Sequence, residues 1–80
     1  MNELELTILE RLYRRGKIGA SHTSIESVVR GLPKHMKGDA KKAVKQLTKD
    51  GWIVQHPTSY GMQIALNLQR IREVRQLIGG

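Results

Sequence analysis

Lys41, Lys42, Lys45 and Lys49 fall within nine residues, Lys34 and Lys37 stand just ahead of them, and the only acids nearby are Asp39 and Asp50. Ammonium groups at such density hold polyanions, because each is a compact charge with three rotatable donors that suit phosphate oxygens. The alternative for any charge run is a solvated face. Residues 27–50 carry +5 of the chain's net charge of +7, whereas residues 1–10 sum to −3, so the positive charge is concentrated and favours a polyanionic partner. Gln46 and Thr48 flank the lysines. Thr58, Ser59 and Tyr60 follow a little further on and offer neutral donors to sugar or phosphate, although Tyr60 also reads as packing at the base of a hairpin.

Other chemistries lack their groups. The acids Glu3, Glu5, Glu10, Glu26, Asp39, Asp50 and Glu73 are scattered, none joins a histidine in a recognisable constellation, and there is no glycine-rich phosphate loop, so a non-enzyme without a cofactor is expected. His22, His35 and His56 are far apart and there is no cysteine, which argues against a metal centre and excludes disulfides and thiolate zinc ribbons. The histidines are expected at the surface. Trp52, just after Gly51, is read as packing and not as a stacking platform. Apolar runs reach only two or three residues against the roughly 20 that span a bilayer, so no membrane association and a cytoplasmic location are expected. Eighty residues form a single domain, too small for a large enzyme with a deep cleft.

The elements that must position these side chains follow from periodicity. Glu3 to Arg15 carries Leu6, Leu9, Leu12 and Tyr13 at helical spacing, with Ile8 beside them and Thr7, Glu10, Arg11 and Arg14 facing away, and predicts a helix that ends at Gly16. Thr23 lies three residues before Glu26, a capping-box spacing that opens a short second helix with Ile25, Val28 and Val29, closed by Gly31 and Pro33. The segment to Gly38 reads as a connector. A third helix is predicted over Asp39 to Asp50, with Ala40, Ala43, Val44 and Leu47 on its core stripe and the lysines opposite. Trp52 to Val54 and Met62 to Leu66 read as strands, joined through residues 56–61 by a loop longer than two residues. Asn67 then caps a last helix whose stripe is Leu68, Ile71, Val74, Leu77 and Ile78, with Gln69, Arg72 and Arg75 on the other side. The fold class expected is mainly α with a small β-hairpin, an α+β arrangement.

The order helix, short strand, helix, helix, hairpin, with Val44, Leu47, Gly51, Trp52 and Ile53 in an apolar-x-x-Leu-x-x-x-Gly-apolar-Ile pattern, resembles the winged helix-turn-helix family of prokaryotic transcriptional regulators. The resemblance covers roughly residues 4–66. It implies a winged-helix domain over 1–66 and a C-terminal helix over 67–80 that packs on the same domain or dimerises. It further implies a double-stranded DNA partner, with the third helix in the major groove and the hairpin as the wing. The DNA-binding residues so expected are Lys34, Lys37, Lys41, Lys42, Lys45, Gln46, Lys49, Thr58, Ser59 and Tyr60. Among Ser21, Thr23, Ser24 and Ser27 one caps the second helix, and the others could donate to a phosphate, as the resemblance implies. One departure stands out: the third helix exposes lysines and one glutamine but no arginine, which suits phosphate contact better than bidentate base reading. A transcriptional regulator or low-specificity chromatin-associated binder is therefore expected. The alternative is a winged-helix protein-interaction module within a nucleic-acid-processing assembly. A homodimer through Leu68, Ile71, Val74 and Ile78 is expected to offset weak base reading.

Overall fold

The computed structural model describes residues 1–79, which form four α-helices and a three-stranded antiparallel sheet. Helix α1 (Glu3–Arg14) opens on a capping box in which the Asn2 side chain accepts from the Glu5 backbone and Glu5 returns the bond to the Asn2 backbone. Its buried side chains are Ile8, Leu9 and Leu12. Ile8 thus replaces Leu6 at the centre of the expected stripe, because Leu4 and not Leu6 sits one turn before it on the core side.

A short strand, β1 (Thr23–Ser24), leads directly into α2 (Ile25–Val29). The cap is Ser24, whose hydroxyl accepts from the Ser27 backbone, and not the expected Thr23, which pairs with Ile64 in the sheet. A 3-10 turn (Lys34–Met36) then runs without interruption into α3 (Lys37–Lys49). The stretch read as a connector is therefore largely helical. Gly38 lowers helix propensity but does not forbid the conformation, and the entry turn starts straight after Pro33, whose fixed φ of −55° suits that place. At the other end Trp52 N–H donates to Leu47 O and Gly51 N–H to Thr48 O, a Schellman closure made with Gly51 at φ 83°.

Strands β2 (Ile53–Thr58) and β3 (Gly61–Leu66) pair in full register from Ile53 opposite Leu66 to Thr58 opposite Gly61. The connection is thus only Ser59–Tyr60, tighter than the long loop expected. Two features permit it. Pro57 lies on β2, an edge strand in the order β1-β3-β2, so its missing N–H costs the ladder little. The positive φ the turn requires falls on Gly61, at 116°.

The chain closes with a 3-10 turn (Leu68–Arg70) and α4 (Ile71–Ile78). Asn67 caps the 3-10 turn and not α4, which begins three residues later than the sequence suggests. Helix α4 packs on α1: Val74 is enclosed in the shared core, Ile71 and Ile78 pack against that core, and Leu68 is left 62% exposed. The stripe expected to hold two copies together is in large part buried within the chain.

Arg70 pins this last segment to α3. Its guanidinium lies 3.7 Å over the Trp52 ring, donates to Asp50 O at 2.6 Å and pairs with Glu73 at 2.9 Å. The side-chain hydrogen bond between the two holds the Glu73 carboxyl below its ordinary value and Arg70 above its own. Asn67 adds a second tie, donating from Nδ2 to Gly51 O at 2.9 Å while its oxygen accepts from Gln69 N–H. Asn67→Ala is expected to lower stability by about 1–2 kcal/mol, read as a lower urea midpoint at unchanged slope.

Candidate nucleic-acid interface

On α3 the buried side chains are Ala40, Ala43, Val44 and Leu47. With about 100° between successive residues, the face away from them carries Lys45 and Lys49 near its centre, Lys41 and Lys42 on either side, and Lys37 at its edge. Lys34 continues the row one turn earlier. All six lysines are exposed. Among the described residues the ion pairs are Glu10 with Arg14 and Arg70 with Glu73, so none of these lysines has a carboxylate within salt-bridge distance. The row is consequently a band of positive charge whose ammonium groups make no direct ion pair.

Gln46 lies on the flank toward α1, and its amide donates to both carboxylate oxygens of Asp50, at 3.1 and 3.0 Å. That bond occupies the donors through which a glutamine would read a base edge. Thr48 is turned inward: its hydroxyl donates to Val44 O at 2.7 Å and lies 3.5 Å from the Gln55 amide nitrogen. The contact with Gln55 ties the hairpin to the lysine-bearing helix.

From Gln55 the strand runs three more residues to the hairpin tip, about 10 Å at the usual rise. There the Thr58 hydroxyl accepts from Tyr60 N–H at 3.2 Å and donates to Gly61 O at 2.7 Å, which fixes the turn. Thr58 is half-buried and committed to these bonds, Ser59 is exposed, and Tyr60 is 95% exposed. The hairpin-base packing considered for Tyr60 is thereby excluded. Pleating also places Pro57 and Met62, which are paired across the hairpin, on the sheet face that carries Ile53, Ile64 and Leu66 deeper in, and Met62 is 42% exposed beyond the core. Gln55, Pro57 and Met62 are the surface residues here that sequence reasoning did not single out. Their signal was the continuation of a period-2 pattern past the end of the apolar run.

The three histidines do not behave alike. His35 is exposed. His22 and His56 come together across 34 residues of chain, their rings stacked at 4.8 Å on the opposite face of the sheet. His22 shares a hydrogen bond with Gln63, and His56 Nε2 lies 3.1 Å from Gly19 O. Only the tertiary fold makes this pair, and spacing carries no sign of it. Groups of three or more metal-binding side chains are absent among the described residues.

Two clefts border α3. An open one of about 470 Å³ is lined by Asn2, Leu4 and Glu5 of the N-terminal end and by Asp39, Lys42, Ala43 and Gln46. A smaller one of about 150 Å³ lies between α2 and α3, with Ile25 and Val29 as its floor and Glu26, Lys37 and Lys41 at its rim. Among the described residues no helix is long and apolar enough to cross a membrane. Compared with family models, curated proteins and solved structures, the chain matches none.

Proposed function

We propose that this chain binds duplex DNA as a winged helix-turn-helix, with α3 in the major groove and the β2–β3 hairpin as the wing. The observation that carries the reading is the row of six exposed lysines without acidic partners on one helix. The element order and the sheet order β1-β3-β2 support the winged-helix assignment. The hairpin, tied to α3 through Gln55 and ending in a fixed turn, supports a second contact at Ser59 and Tyr60.

The chemistry of the row favours phosphate contact over base reading. Lysine does not make the forked pair with guanine that arginine makes, and Gln46, the one glutamine there, is engaged by Asp50. The chain is therefore a low-specificity binder of the chromatin-associated kind in preference to a regulator of one operator.

The test is anisotropy with two labelled duplexes of unrelated sequence at low salt. Both are expected to bind, with affinities within about tenfold of one another, far less than the 10³–10⁷ that separates specific from non-specific sites. Binding to acidic protein partners without binding to either duplex would establish the interaction-module reading instead.

A further inference from the structure

Lysine and arginine are segregated in this chain. Six of the seven lysines lie on α3 and its entry turn, and none of the seven arginines does. Arg70 covers Trp52. The other six, Arg11, Arg14, Arg15, Arg30, Arg72 and Arg75, are drawn together around the C-terminal half of α1. Arg11 donates to Val28 O at 2.8 Å and Arg30 O at 2.9 Å, which joins α1 to the end of α2. Arg15 donates to Ser27 O at 2.9 Å on the same side. Arg75 donates to the Tyr13 hydroxyl at 2.8 Å, which brings α4 to the other flank, and Arg72 stands one turn before it. Arg14 projects between them with its side chain 76% exposed.

Apart from Arg30, which stands four residues ahead of Lys34, the cluster faces away from the lysines. Helices α1 and α3 pack against each other through their core stripes, so the outward face of each points away from the other. The carboxylates on the outward face of α1 are Glu3, at its N-terminal end, and Glu10, which lies among the arginines and is already paired with Arg14. Arg11 and Arg15 are each held through one terminal nitrogen and Arg75 through Nε, in every case by neutral groups, which orients the guanidiniums while leaving their charge and their other N–H donors free. That is a fitting geometry for phosphates, which arginine grips with two parallel bonds.

We propose that the arginine cluster is a second polyanion site that takes a second DNA duplex, so that a single chain bridges two duplexes. The proposal rests on duplex binding at the lysine row. The partner follows from charge complementarity: six cations against one carboxylate in their midst, Glu10, which is already paired.

The test is a bridging assay. Beads carrying one duplex are mixed with protein and a fluorescent duplex of unrelated sequence, and anisotropy separately measures affinity for a single duplex. The wild type is expected to capture the fluorescent duplex. A variant with Arg14→Ala, Arg15→Ala and Arg72→Ala is expected to lose capture by roughly tenfold or more while its single-duplex affinity changes by less than about threefold. These three side chains make no buried contact, and wild-type far-UV circular dichroism verifies the fold. Single-duplex binding without capture by the wild type overturns the bridging proposal and leaves the lysine-row reading standing. Capture that persists in the arginine variant overturns it too and assigns bridging to paired copies. Failure to bind any duplex removes both.

Discussion

Replacing Lys41, Lys42 and Lys45 together with alanine is expected to lower duplex affinity on the order of 10²-fold at about 0.1 M salt. Each lysine that neutralises a phosphate releases condensed counterions, so losing three contacts also makes the log–log salt slope shallower by about 2.7. The loss should be the same for unrelated sequences, because phosphate contacts position the protein without reading bases. Stability should change by less than about 0.5 kcal/mol, since all three side chains are exposed and unpaired and alanine is the best helix former. Anisotropy titration of the variant, alongside its urea unfolding curve, checks both halves. A folded variant with wild-type affinity would show that α3 is not the groove helix.

Leu47→Asp, one turn further along the opposite face of the same helix, is expected to unfold the domain. Leu47 is fully buried among residues of α1, α3 and the sheet, and its carbonyl accepts the Trp52 N–H that closes α3. Truncating such a leucine alone costs about 2–5 kcal/mol, and enclosing a carboxylate without a partner adds several more. A domain of this size has only about 4–12 kcal/mol in all. Far-UV circular dichroism should show loss of helix and urea titration no cooperative transition. A wild-type midpoint for this variant would mean that the two faces of α3 have been exchanged. The contrast with the lysine variant makes the pair informative: neighbouring positions on one helix, one change fatal to binding alone, the other to the fold.

How much of this was legible in the residues depends on how local the signal is. The core stripe of α3 and its lysine face follow from a 3.6-residue period in a segment with strong helix formers, and they lie where the pattern places them. The entry turn at Lys34–Met36 was missed because Gly38 reads as a breaker, although in the fold it merely lowers propensity within an otherwise supported helix. The hairpin turn was missed because Pro57 reads as a loop residue, and only the strand order reveals that it sits on an edge where proline is tolerated. Thr23 and Ser24 are adjacent residues of capping type that both pair with β3, and spacing alone does not tell that Ser24 is the one that caps. The apolar residues of α4 are visible in sequence, but their destination is not: helical periodicity marks a face to be covered without saying whether α1 or a second copy covers it. At the candidate site the same limit applies. Exposure of the lysines was readable, whereas the bond between Gln46 and Asp50, the stack of His22 on His56 and the gathering of arginines from three helices come from contacts that no spacing encodes.

A row of unpaired lysines on α3 that holds the phosphates of duplex DNA makes binding depend steeply on salt, and a salt titration of the wild-type chain measures that dependence. Four to six phosphate contacts correspond to a slope of about −4 to −5 in log K against log salt concentration, steep enough that affinity falls by two to three orders of magnitude, roughly, between 50 and 200 mM. That steep fall, shared by unrelated sequences, is the result expected. Affinity that stays flat across the same range, or an absence of duplex binding at low salt, would mean that the lysines of α3 do not hold DNA phosphates.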